Sequence, residues 1–208
     1  MNSIGGPLTR AGFYLAGGTG LALQMGHRKS ADLDFFVENG ELNLPSPARL
    51  KGVLGKAGRF RVVAEEQGTL HSEVSGIRVS LLAYRSSLIR KPVRAGSILL
   101  AHSIDIGLMK LSAIVSRGSK KDFVDMACIL RNHISLAPLL RLAPQKYPES
   151  PDFAVTVFKA LGYFKDAERE DDPILLDESY RWSKVKGYIE DETKKAFKLM
   201  LKGKNRGS

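Results

Sequence analysis

The rhythm of apolar and polar positions changes along this chain, and the change divides it. Phe13–Ala16 is a brief apolar run closed by Gly17-Gly18, which predicts a strand ending in a tight turn. Thr19 stands where it can cap a helix through Leu21, Ala22, Leu23 and Met25 that stops at Gly26. Asp32–Val37 alternates with period two, so Leu33, Phe35 and Val37 share one face of a strand and Asp32, Asp34 and Phe36 the other. After a loop marked by Asn39-Gly40, Pro45 and Pro47, a helix is expected over Ala48–Ala57. Strands are expected over Arg59–Glu66 and Thr69–Val74, and the two-residue connector Ser75-Gly76 turns the chain into Ile77–Leu82 as an antiparallel ribbon.

From Ala101 the period is helical. Ile104, Leu108, Leu111 and Val115 recur on one face, and the run ends at Arg117-Gly118. Ser119 is placed to cap the next helix, whose apolar stripe is Phe123, Ala127 and Leu130. Pro138, Pro144, Pro148 and Pro151 punctuate the next stretch, Pro151 suiting the first turn of a helix through Phe153, Val157, Leu161 and Phe164. The acidic stretch Asp166–Asp172 predicts a solvated connector. A last helix over Tyr180–Lys202 is expected to turn Val185, Ile189, Phe197 and Leu201 inward. The fold class is therefore α+β: an N-terminal lobe over 1–100, an all-helical lobe over 101–202 and a disordered tail over 203–208.

Composition narrows the function. The formal net charge of +10 favours polyanionic partners, nucleotide or nucleic acid. One cysteine, Cys128, excludes an internal disulfide and a cysteine-based zinc cluster. No apolar run approaches the roughly 20 residues of a membrane helix, and the N-terminus lacks the apolar core of a secretory signal. A cytoplasmic protein with no membrane partner is expected.

The candidate chemistry begins at the glycine turn. Gly17 and Gly18 allow close backbone approach, and with Thr19 their amides lie at a helix N-terminus, where phosphate binds well. Asp32 and Asp34 project from one strand face about 6.5–7 Å apart, a carboxylate pair that a hard divalent ion such as Mg²⁺ would neutralise. Solvated edge residues and a plain turn are the alternatives. Neither a Walker loop nor a dinucleotide fingerprint is present, because no Lys-Ser or Lys-Thr comes after the glycines and Leu23 stands where a third glycine belongs. Downstream, Lys110 and Arg117 lie two turns apart on one helix, and Asp122 and Asp125 open the next, away from its apolar stripe. Lysine and arginine suit triphosphate charge; solvent-facing cations and a helix-dipole acid are the alternatives.

Gly17-Gly18-Thr19, a helix, Gly26-His27-Arg28 and then Asp32-Leu33-Asp34-Phe35-Phe36 resemble the first motif of the DNA polymerase β-like nucleotidyltransferases. The similarity is closer still to the AbiEii-type branch, the toxins of abortive-infection toxin–antitoxin pairs. Lys110-Leu111-Ser112-Ala113 and Lys121-Asp122-Phe123-Val124-Asp125 are similar to that branch's later motifs. The resemblance implies a polymerase β-like lobe with a mixed or antiparallel sheet. It also implies one or two Mg²⁺ ions on Asp32 and Asp34, and an NTP held by Gly17, Gly18, Thr19, Arg28, Lys110, Arg117 and Lys121. By the same likeness Lys110 contacts the triphosphate, and Asp122 joins the site as a base for the attacking hydroxyl. The implied activity is transfer of NMP to a hydroxyl, and the implied partner is a cognate antitoxin protein. The basic charge favours RNA, tRNA included, as acceptor. One departure stands out: where such enzymes carry a third carboxylate on a neighbouring strand, Ile77–Leu82 has Ser80 and no acid. A catalytically weak nucleotide or RNA binder, or transfer to a protein or small molecule, are therefore the rival expectations.

Overall fold

A computed structural model describes residues 2–204. The sequence-based expectation for the tail therefore falls largely outside the described residues, and the last helix runs to Lys204. Two compact units are present: the described residues up to Leu23 with Ser30–His102, and Gln24–Lys29 with everything from Ser103 onward.

The first unit is built on a seven-stranded sheet. Its strands are β1 (Tyr14–Leu15), β2 (Leu33–Glu38), β3 (Phe60–Glu66), β4 (Thr69–Val74), β5 (Ile77–Tyr84), β6 (Val93–Ala95) and β7 (Ile98–Leu100), in the order β3-β4-β5-β2-β1-β7-β6. The sheet is mixed. β2 pairs parallel with β5 and β1 parallel with β7, while the other neighbours are antiparallel. The alternation read from β2 holds: Leu33, Phe35 and Val37 are buried, and Asp34 and Phe36 are half-buried on the opposite face. Leu70, Val79 and Leu81 join the buried face, where α1 (Asn2–Arg10) and α3 (Pro47–Gly55) complete the core with Ile4, Leu8, Leu50 and Leu54. Each such side chain contributes about 1.5–3 kcal/mol on burial.

One element here runs against local propensity. α1 contains Gly5, Gly6 and Pro7, none of them a helix former. Gly5 is required by packing, since a Cβ there would lie 2.4 Å from Ile98 Cγ1 on β7. β6 and β7 form a short hairpin that turns at Gly96, whose φ is +60°.

The second unit holds α4 (Ser103–Ser116), α5 (Lys120–Asn132), α6 (Leu136–Lys146), α7 (Phe153–Leu161) and α8 (Trp182–Lys204). α6 corrects the expectation of a proline-broken segment. Pro138 sits in its first turn, where no intrahelical donor is needed, and Pro144 in its last, while Leu136, Leu139, Leu140 and Ala143 are buried. Burial of that apolar face outweighs the proline signal. A second correction concerns α8, where Phe197 and Leu201 are half exposed and Ala196 is buried with Val185 and Ile189. A 3.6-residue period carried from Val185 and Ile189 reaches Ala196 and leaves Phe197 and Leu201 off the inner face.

α5 is buried nearly all round, so Asp122 and Asp125 are enclosed and not solvent-facing. Its N-cap, Ser119, makes no capping bond to its own helix. Glu170 does that work instead, accepting from the Lys120 amide at 2.9 Å and from Ser119 Oγ at 2.7 Å. Lys120 Nζ reaches Asp172 at 2.8 Å, so this part of the acidic segment is a clasp on α5 rather than a solvated connector.

Candidate active site

In the first unit the glycine turn and the aspartates are joined through the sheet. The turn after β1 enters α2 (Gly17–Met25), and the Ala16 amide donates to the Asp34 carbonyl at 3.0 Å. The first intrahelical bond runs from the Gly20 amide to the Ala16 carbonyl, so the amides of Gly17, Gly18 and Thr19 precede it and have no acceptor within the helix. Gly17 has a φ of +62°, and a Cβ on it would stand 2.9 Å from Asp34 Oδ2. Glycine is required here for its backbone conformation, and a Cβ would also push the Asp34 carboxylate aside. Gly17→Ala should cost about 1–3 kcal/mol of strain and displace the Asp34 carboxylate. Chemical denaturation measures the first effect and Mn²⁺ titration the second.

Thr19 does not cap α2, because that helix already starts at Gly17. Its buried hydroxyl donates to the Asp32 carbonyl and lies 2.8 Å from Ser30 Oγ, pinning the chain just before β2. Asp32 is exposed and Asp34 half-buried, and among the described residues neither has a cationic partner. β2 begins at Leu33, so Asp34 stands on the sheet face opposite the core while Asp32 lies just before the strand, outside the expected alternation. Two acids this near in the chain with no cationic partner among the described residues suit a divalent cation, with water and phosphate oxygen completing its coordination. Among the described residues no group of three or more His, Cys, Asp or Glu side chains converges to hold a metal ion.

Ser80 lies directly beside Asp34 in the parallel β2–β5 register. On its other side β4 places His71 in register with Ser80, with His71 Nδ1 3.1 Å from Ser80 Oγ. A signal for this pairing exists in the sequence. Counting outward from the Ser75-Gly76 connector, where Val74 pairs Ile77, brings His71 opposite Ser80.

In the second unit the structure brings Lys110, Arg117 and Asp122 together, and adds Asp125, His27 and Arg28. Asp122 accepts from Lys110 Nζ at 2.8 Å and from Arg117 Nε at 2.8 Å. Asp125 accepts from Arg28 through Nε at 2.6 Å and Nη2 at 2.8 Å, lies 2.8 Å from His27 Nε2 and pairs with Lys110 Nζ at 2.5 Å. His27 is buried, and its Nδ1 has no partner among the described residues. Arg28 is buried with its guanidinium fork on Asp125, so its expected phosphate contact competes with a bidentate ion pair. Arg117 and Lys121 are exposed.

Charge and burial oppose one another in this cluster, and charge wins. Burial pushes the Asp125 carboxyl up, but the Lys110 charge and hydrogen bonds from His27 and Arg28 hold it well below the usual carboxylate range. Burial likewise raises Asp122, and the Lys110 charge with the Arg117 hydrogen bond brings it below its ordinary value. Burial lowers Lys110, but Asp125 and Asp122 raise it on balance. Depressed carboxylates stabilise the fold above their unfolded pKa and lose that contribution as pH falls through the folded values. The raised lysine contributes below its unfolded pKa and loses its share as pH rises through the folded one. Stability should therefore be flat through neutrality and fall below about pH 4–5, with the loss suppressed in Asp122→Asn; urea midpoints across pH read it.

A family model described as nucleotidyl transferase AbiEii toxin, type IV TA system, matches residues 7–108, which span the glycine turn, both aspartates and Ser80. The chain belongs to the AbiEii nucleotidyltransferase family. It is a nucleotidyltransferase. An uncharacterized protein of Aquifex aeolicus, aq_aa25, is 36% identical over 186 residues, covering 88% of this chain and 86% of that one. A putative nucleotidyltransferase from Helicobacter pylori shares the fold with a TM-score of 0.57 at 18% identity, over 96% of this chain and 94% of that one. JHP933 from the same organism does so with a TM-score of 0.54 at 16% identity, over 100% of this chain and 95% of that one. Among the described residues no single helix is long and apolar enough to cross a membrane.

Proposed function

We propose that this nucleotidyltransferase transfers NMP from an NTP to a hydroxyl on RNA, tRNA included, as the toxin of a toxin–antitoxin pair, in the cytoplasm. The observation that carries it is the fit of Gly17 against Asp34, which sets the amides of a helix start beside a carboxylate with no cationic partner among the described residues. Asp32 and Asp34 would hold Mg²⁺, which when bound supplies the charge that neutralises triphosphate oxygens. The amides of Gly17, Gly18 and Thr19 hydrogen-bond phosphate oxygens and orient the chain for in-line attack. The acceptor oxygen bonds to the α-phosphorus as the bond to the β-phosphate bridge breaks, and pyrophosphate leaves. Thr19 keeps the Asp32 backbone in place through its carbonyl.

Within the second unit, the exposed Arg117 and Lys121 carry positive charge suited to a polyanion, and Lys110 is enclosed between Asp122 and Asp125. Asp122, enclosed and held below its ordinary pKa, suits anchoring Lys110 and Arg117 better than accepting a proton. The net charge of +10 supports a nucleic-acid acceptor. Ser80 beside Asp34 favours, as a second possibility, a weak catalyst that chiefly binds nucleotide.

The test supplies α-labelled NTPs one at a time with Mg²⁺ to total RNA, a protein fraction and small hydroxyl acceptors. Label entering RNA supports the proposal. Label entering only protein or small molecules overturns the RNA acceptor, and nucleotide binding without transfer to any acceptor favours the weak binder.

A further inference from the structure

We infer that Ser80 and His71 form the proton-accepting arm of this site, in the place a third carboxylate would hold beside Asp34. The inference rests on the transferase function proposed above. Three adjacent strands set Asp34, Ser80 and His71 in one row across the sheet, each in register with the next. All three stand on the face opposite the buried Phe35, Val79 and Leu70. Neighbouring strands are about 4.7–4.9 Å apart, so Ser80 is one strand spacing from Asp34 and His71 two.

The only hydrogen bond described for the Ser80 hydroxyl is the one to His71 Nδ1, at 3.1 Å. The other charged residues whose positions share that face near His71 are Arg61 and Glu66 on β3, Glu73 on β4 and Arg78 on β5. Arg61 and Glu73 pair with each other at 2.7 Å. No carboxylate in β5 competes for the proton.

The transfer balances without a further reactant. As the acceptor oxygen bonds to the α-phosphorus, its proton passes to Ser80 Oγ while the proton of Ser80 passes to His71 Nδ1. The exposed imidazole then returns a proton to water, and pyrophosphate carries away the electron pair of the broken P–O bond. Serine alone is too weak a base for this, and the imidazole bonded to it supplies the acceptor that a carboxylate supplies elsewhere. His71 touches no substrate; it acts through Ser80 and positions it.

Four variants test the arrangement: His71→Ala, Ser80→Ala, Ser80→Asp and His71→Ala with Ser80→Asp. Both positions lie on the open face, and urea denaturation checks that each variant folds. His71→Ala and Ser80→Ala should each lower kcat by about 10²-fold or more, with Mn²⁺ and NTP affinity unchanged. Ser80→Asp should restore the His71→Ala protein to within about tenfold of wild type, since the carboxylate then accepts the proton without the imidazole. A purely structural role for His71 predicts no such rescue. If wild type transfers label and folded His71→Ala matches it, or if Ser80→Asp fails to raise the His71→Ala rate, the relay is wrong and the transferase stands. If wild type transfers to no acceptor, the transferase function itself has failed.

Discussion

Asp125→Ala should destabilise the second unit by about 3–5 kcal/mol, the range for removing one partner from a buried ion pair. Asp125 is fully enclosed, and its two oxygens serve His27, Arg28 and Lys110. Deleting the carboxylate leaves two buried cations short of a counter-charge and removes the only hydrogen bond described for the His27 ring. Marginal stability of roughly 5–15 kcal/mol makes such a loss a large share of the total, and the melting temperature should fall by roughly 10 °C. Asp125→Asn keeps the shape and some hydrogen bonding but loses the charge, and should fall between wild type and Asp125→Ala. Urea unfolding of the three proteins measures the series. A loss below about 1 kcal/mol for Asp125→Ala would place the cluster in solvent, where ion pairs contribute little.

This cluster also marks a limit of sequence reading. Arg28 and Asp125 are 97 positions apart, and nothing local in either segment announces the bond. The Lys-Asp-x-x-Asp start of α5 is visible in the sequence, but its burial is not, because charged residues crowded into one helical turn look solvated until their partners are known. Elements with a strong period are legible. β2 alternates as expected, and the β3–β4–β5 ribbon turns at Ser75-Gly76. Elements held by distant packing are not. α1 tolerates Gly5 because Ile98 leaves no room for a Cβ, and α6 keeps Pro138 in its first turn, where no intrahelical donor is needed, and Pro144 in its last, at the cost of one helix hydrogen bond. In α8 the apolar pattern offers four residues to the inner face, while helical phase admits only Val185 and Ile189 of them.

The proposed phosphate-binding turn is legible for a physical reason: its chemistry is local. The amides without an intrahelical acceptor result from Gly17-Gly18-Thr19 opening a helix, and the outward face of Asp34 results from strand alternation, whereas Asp32 falls just before the strand begins at Leu33. What the fold adds is the contact between them, since Gly17 abuts the Asp34 carboxylate across the β1–β2 pair. Thr19 has the sequence signature of a cap and proves to be a clamp on Asp32.

Asp34 therefore carries the second large effect. Its carboxylate is the one in contact with the turn, it lies beside Ser80, and among the described residues it has no cation of its own. Asp34→Asn preserves volume and the backbone bond from Ala16 while removing the charge that would hold the cation. Stability should change little, because the side chain is half exposed and makes no ion pair whose loss would matter. Transfer should collapse, because charge neutralisation is the main service such a site performs.

The decisive measurement is the rate of label transfer from α-labelled NTP, with Mg²⁺ and total RNA, by wild type and by Asp34→Asn of verified fold. Wild type should label RNA, and Asp34→Asn should be slower by about 10²–10³-fold or more, with Mn²⁺ affinity lost in parallel. Transfer by Asp34→Asn within about tenfold of wild type would contradict the assignment of Asp34 to the catalytic centre.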